Sequence, residues 1–160
     1  MKAVFDMEAD GLLPDATRLW CASFLNLDDG RVHTVTDPQS ALDLLLSCEK
    51  VIGHNITGYD FPLLLKLLRP SERVVNRLTN PSLEWCTDTY EMSVALQPER
   101  PGGHSVESWA RRLGEDSKVE IEDWHNLPIE EYIRRCEHDV YLESLIYYKL
   151  SQEVTELLGK

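Results

Sequence analysis

Lys2-Ala3-Val4-Phe5-Asp6-Met7-Glu8 is a short apolar run that ends in two acids, the pattern of a strand leaving the core with charge at its tip. Gly11 and Pro14 break the chain after it. Leu19 to Leu27 is rich in Trp, Phe and Leu, and Arg31 to Thr36 alternates Val32, Thr34 and Thr36 on one side with His33 and Val35 on the other. Asp28-Asp29-Gly30 between these runs is a strong hairpin signal. Three antiparallel strands therefore open the chain. Asp37-Pro38 then starts a helix, with Asp37 as cap and Pro38 in the first helical position. Its apolar stripe is Leu42, Leu45 and Leu46.

Further along, Val51-Ile52-Gly53 reads as a short buried strand and His54-Asn55 as a polar turn. A helix follows from Asp60 with Leu63, Leu64, Leu67 and Leu68, ended or kinked by Pro70. Leu83 to Thr89 reads as another short strand and Tyr90 to Leu96 as a short helix. Gln97 to Gly103 holds two prolines and two glycines and is the most loop-like segment. Ser105 to Leu113 is helical, stopped by Gly114, and Glu115 to Asn126 is an acidic surface loop. Pro128 to Leu158 is a long helical stretch with a break expected near Leu150-Ser151. The expected architecture is one α/β domain over residues 1–160, a mixed sheet flanked by helices.

Composition narrows the function classes. Hydrophobic residues are 42% of the 160, enough for a sizeable core, and 28 acids against 16 bases give a net charge of −12. Bulk attraction to duplex DNA or an anionic membrane is thereby disfavoured. Apolar runs such as Leu44–Leu46 fall far short of the ~20 residues that span a bilayer. Acids arrive too early for the start to read as a signal peptide. Cys21, Cys48, Cys86 and Cys136 have neither zinc nor redox spacing, so reduced, buried thiols and a cytoplasmic location are expected.

The acids carry the chemistry. Asp6 and Glu8, two apart on a strand, share a face with Cα atoms roughly 6–7 Å apart. Side by side they repel unless a cation lies between them, or they are simply an exposed strand end. Asp60 begins a helix, where an acid also serves as a plain cap. Asp139 lies mid-helix beside Ile133, Val140, Leu142 and Ile146, a poor place for an unpartnered acid. Together the four could converge on two divalent ions ~3.5–4 Å apart, a site suited to a phosphodiester. Oxygen ligands without clustered His or Cys favour Mg²⁺ or Mn²⁺ over zinc.

Phe5 to Leu12, Gly53-His54-Asn55 to Tyr59-Asp60, and Cys136 to Asp139 resemble the three motifs of the DEDD (DnaQ-like, ribonuclease-H-like) 3′–5′ exonuclease superfamily. Cys86 to Thr89 and Gly103 to Gly114 resemble in particular the proofreading exonuclease domain of bacteriophage family-A DNA polymerases. The resemblance covers nearly the whole chain in order. It implies a ribonuclease-H-like fold, two metal ions held by Asp6, Glu8, Asp60 and Asp139, and stepwise removal of nucleotides from single-stranded or frayed DNA 3′ ends. With no room for a polymerase, it implies an exonuclease acting alone or serving a separately encoded DNA polymerase.

One departure concerns the attacking water. The family places a Tyr four residues before the last Asp or a His five before; here those positions hold Arg135 and Arg134. Tyr132 is two turns from Asp139, and His138 points about 100° round the helix. A positioned acid–base group is worth about 10²–10⁴-fold, so slowed rather than abolished turnover is expected. Arg135 could meet the scissile phosphate, or form a surface pair with Glu131.

Among substrate contacts, Gly11, Leu12 and Leu13 resemble the family's wedge at the terminal base, with core packing as the alternative for the leucines. His54 and Asn55 could bond the terminal nucleotide or merely complete a turn. Trp109 and Trp124 have the chemistry to stack, Trp109 being on a core stripe. Lys66, Arg69, Arg73 and Arg77 would form a basic stripe only if Pro70 did not interrupt it. Adding +4 from two ions to −12 leaves −8, so the end must be gripped locally. Two rivals stand beside this reading: a nucleic-acid or polymerase-binding module with a weakened site, and a 3′–5′ exoribonuclease of the same fold.

Overall fold

The computed structural model describes residues 1–116, 123 and 125–159. Five strands, β1 (Lys2–Ala9), β2 (Leu19–Asn26), β3 (Val32–Val35), β4 (Lys50–Gly53) and β5 (Cys86–Asp88), form one sheet in the order β3-β2-β1-β4-β5. The first three pair antiparallel, whereas β4 runs parallel to both β1 and β5. The expected mixed sheet is thus present. The hairpin closes where foreseen: Gly30 takes φ +74° and its amide donates to the Asn26 carbonyl.

The helices are α1 (Pro38–Ser47), α2 (Asp60–Leu68), α3 (Glu72–Thr79), α4 (Thr89–Leu96), α5 (Val106–Leu113) and α6 (Ile129–Leu158). Asp37 caps α1 by accepting from the Ser40 amide at 2.8 Å, with Pro38 just inside. Alternation along β1 divides the core. Ala3, Phe5 and Met7 face a large cluster with Leu42 and Leu45 of α1 and Phe61 and Leu64 of α2. Val4 faces the other way, with Ile52 and Val140 of α6. Asp6 and Glu8 follow Val4 on that second face, so the strand's own pleat aims both acids toward α6.

One expectation is corrected and the interruption at Pro70 is present. α6 runs unbroken for 30 residues, about 45 Å, because Leu142, Ile146 and Leu150 continue one stripe against Val106, Trp109 and Ala110 of α5. Arg69 adopts a left-handed conformation (φ 47°) at the end of α2 and α3 starts afresh, so the four bases lie on two helices. Lys66 donates instead to the carbonyls of Leu13 and Pro14, and the Arg77 guanidinium lies over Trp85. Leu13 packs on the large core cluster, unlike its neighbour Leu12. The expected loop at 115–126 falls largely, and Trp124 wholly, outside the described residues. All four cysteines are buried and free of disulfides. Among the described residues no helix is long and apolar enough to cross a membrane.

Candidate metal centre and nucleotide cleft

β4 ends beside the middle of β1, whose tip runs on past it, and the end of β1 and the turn after β4 line one cleft of about 610 Å³. This is the carboxyl edge of the parallel strands, where open α/β sheets leave a crevice. At its floor, carboxylate oxygens of Asp6, Glu8 and Asp139 all lie within 4.8 Å of one another. Glu8 sits at a register shift in β1, and Asp139 is fully buried on α6. The helix is held at this height by Cys136, whose thiol donates to the Asp6 carbonyl at 3.3 Å. Burial first, then Cys21 and the charge of Asp6, pushes that thiol's pKa up, so it remains a donor.

Asp60 reaches the same cleft from the start of α2 and is 2% exposed. Burial, and after it the charge of Asp6, holds its carboxyl well above the usual range, against the pull of nearby backbone amides. Its Oδ1 is buried with no hydrogen-bond partner among the described residues. A buried, repelled carboxylate oxygen beside three clustered acids fits a hard divalent cation. Tyr59, one residue earlier, donates from Oη to the Gly11 carbonyl at 2.7 Å. Burial and the surrounding acids raise its phenol pKa, so it keeps that proton.

The turn between β4 and α2 is tightly specified. A Cβ on Gly53 would overlap the Ile56 side chain and sit 2.8 Å from the Phe5 carbonyl oxygen. Asn55 is left-handed (φ 59°), which Asn tolerates better than most residues. Asp88, at the end of β5, accepts from the amides of Asn55 (2.8 Å), Thr57 (3.1 Å) and Tyr90 (2.9 Å) and from the Thr57 hydroxyl (2.8 Å). One buried carboxylate thus caps α4 and pins the turn that delivers Asp60.

His54 lines the cleft with both ring nitrogens engaged. Nε2 donates to the His104 carbonyl at 2.7 Å, and Nδ1 is 2.8 Å from the Thr89 hydroxyl. Its polar atoms complete the turn, as the plainer reading of the sequence has it. Asn55 is exposed at the same rim. His104 is itself fixed: Trp109 donates to the Ser93 hydroxyl, Ser93 lies 2.7 Å from His104 Nδ1, and His104 Nε2 donates to the Pro98 carbonyl. Arg100 closes the loop from outside, bonded through both terminal nitrogens to Glu153 and stacked on Trp109. Trp109, 1% exposed, is core.

The two arginines before Asp139 part company. Arg134 pairs with Glu131 on the surface at 2.7 Å, taking the partner the sequence suggested for its neighbour. Arg135 turns into the cleft, where Nε donates to Glu8 Oε1 at 3.1 Å. Tyr132 is outside the cleft, stacked on Trp20 with ring centroids 4.6 Å apart. His138 does not line it either. Gly11 and Leu12 do, and Leu12 is 75% exposed, an apolar tip facing open space. Sequence reasoning missed Glu143, 1% exposed and lining the cleft one helical turn beyond Asp139. Its signal was the spacing of four from Asp139.

No protein-family model matches the chain. Brucella melitensis NrnC bound to pGG superposes with a TM-score of 0.68 at 16% identity, over 97% of this chain and 74% of that one. The same protein with bound Mg²⁺ gives 0.64 at 16% identity over the same shares. The family B DNA polymerase of Pyrobaculum calidifontis gives 0.67 at 18% identity, covering 92% of this chain and 24% of that one. The architecture is the ribonuclease-H-like exonuclease fold, and in fold and in sequence the chain is similar to proteins of the DEDD exonuclease superfamily. The similarity in sequence is with a DNA-directed DNA polymerase of Enterobacteria phage T3, 28% identical over 96% of this chain. The chain spans about a quarter (24%) of the polymerase's length.

Proposed function

We propose that residues 1–160 act as a single divalent-metal-dependent 3′–5′ exonuclease domain that removes nucleotides from single-stranded or frayed DNA ends. The observation that carries this reading is the convergence of Asp6, Glu8 and Asp139 with the buried Asp60 at the floor of one cleft. These four would hold two Mg²⁺ or Mn²⁺ ions, which would supply an activated water and neutralise the charge developing on the phosphate. Leu12 offers an apolar tip against the last base, Gly11 allows the backbone to approach, and Asn55 presents an exposed amide to the terminal nucleotide. His54 supports the same wall with its ring face. Arg135 is assigned to the scissile phosphate, being the one arginine or lysine among the described residues that lines the cleft.

Kinship with a phage polymerase supports a role in proofreading or DNA replication, in the cytoplasm of a bacterial or phage-infected cell. The binding of pGG by the like-folded NrnC favours a second reading, trimming of short oligonucleotide ends including RNA. Arg135 in place of the water-orienting Tyr favours a third, a binding module with a weakened site. The test uses 5′-labelled single-stranded DNA and matched RNA with Mg²⁺, Mn²⁺ or EDTA, beside the Asp6→Ala protein. A ladder shortening from the 3′ end, absent with EDTA and with Asp6→Ala, is expected. Intact DNA and RNA in both metals would refute catalysis and leave the binding module.

A further inference from the structure

The ion pair between Arg135 and Glu8 has no counterpart in the chemistry assigned so far. Its two side chains are 13% and 8% exposed, so solvent does little to screen them. Both come from elements that cannot drift apart: Glu8 is on a central strand, and Cys136, next to Arg135, is bonded to the Asp6 carbonyl. Arg135 Nε takes an oxygen of one of three carboxylates whose oxygens lie within 4.8 Å of one another. A guanidinium cannot release its charge by losing a proton at any ordinary pH. It therefore stands inside the cluster as a permanent monovalent cation, competing for Glu8 with any divalent ion.

We propose that Arg135 is a positioning residue that occupies Glu8 in the metal-free protein, so that filling of the Glu8 side of the centre awaits an arriving phosphate. A phosphate oxygen offers the guanidinium a better, bidentate partner. Once Arg135 turns to it, the Glu8 oxygen it held is released for an ion. Substrate and metal then strengthen each other's binding, and the linkage is reciprocal. This inference rests on the exonuclease reading, since it needs both a metal centre and a phosphate-bearing substrate.

The experiment is calorimetric and electron-paramagnetic titration of the metal-free full chain with Mn²⁺, with and without a phosphorothioate dinucleotide. The proteins are wild type, Arg135→Gln, Arg135→Lys and Asp139→Asn. Arg135→Gln should bind Mn²⁺ about tenfold more tightly without nucleotide, and the nucleotide should no longer improve it. Arg135→Lys, which keeps the charge, should stay within about threefold of wild type. An Arg135→Gln isotherm equal to or weaker than wild type overturns the inference alone. Unchanged Mn²⁺ binding in Asp139→Asn overturns the metal centre and the exonuclease reading with it. Should Arg135→Gln not fold, the Arg135 Nε–H resonance of the wild-type protein decides: it should leave its hydrogen-bonded position when Mg²⁺ and dinucleotide are added together, and immobility overturns the inference.

Discussion

Asp60→Asn should make the metal-free protein more stable while removing a carboxylate proposed to hold metal. Burial, followed by the charge of Asp6, raises the Asp60 carboxyl well above the usual range, and its Oδ1 has no partner among the described residues. A carboxyl whose pKa rises on folding binds more protons folded than unfolded. Its burden is therefore absent below the ordinary carboxylate value and grows as pH climbs from there toward the raised one. Asn keeps the shape, carries no charge and turns an N–H toward the neighbouring acids. Relief of a buried oxygen without a partner is worth about 1–3 kcal/mol, or a gain of about 2–12 °C in Tm for a domain of this size. Thermal melts in EDTA, followed by circular dichroism from about pH 4 to pH 8, measure it, and the gain should shrink toward zero at the acid end. Added Mg²⁺ should then raise the wild-type Tm more than that of the variant. A variant no more stable than wild type near neutral pH, or a gain indifferent to pH, would refute the reasoning.

Two further outcomes follow from the site's surroundings. Gly53→Ala should lower stability by about 2–4 kcal/mol, read as a fall in urea midpoint, because the new Cβ meets Ile56 and the Phe5 carbonyl with no room to yield. Glu143→Gln should weaken Mg²⁺ binding about tenfold by calorimetry: Glu143 lines the cleft about 6 Å along α6 from Asp139, and a unit charge against a +2 charge at that separation is worth about 1.4 kcal/mol even in water.

The parts of this molecule that could be read from sequence are those in which a local rule and the tertiary demand coincide. The hairpin at Gly30 and the cap at Asp37 are set by turn and capping chemistry within a few residues. Asp6 and Glu8 were legible because a strand's period of two cannot separate them. Arg135 was not, since its partner Glu8 is 127 residues away and Glu131 offered a nearer one, which Arg134 took. Glu143 looked like any acid on a long helix, and its burial arises from the packing of α6 against the sheet, α4 and α5. Trp109 could be placed on a core stripe, but not beneath Arg100 and Arg112, which reach its ring through a loop and a neighbouring turn. The break foreseen at Leu150-Ser151 is absent because Leu142, Ile146 and Leu150 pack in line against the apolar row on α5.

Helix α2 does more than bring Asp60 to the cleft. Tyr59, at its mouth, holds the Gly11 carbonyl, and Lys66, two turns along, holds those of Leu13 and Pro14. Leu12 lies between these two anchorages, so the apolar tip and the Asp60 carboxylate ride on the same rod. Any breathing of the sheet carries both together and leaves the span between them unaltered. The molecule thus contains a fixed gauge from strand tip to acid, machined into one helix, and a loop grafted at residues 11–14 would inherit its calibration only if those carbonyls still met Tyr59 and Lys66.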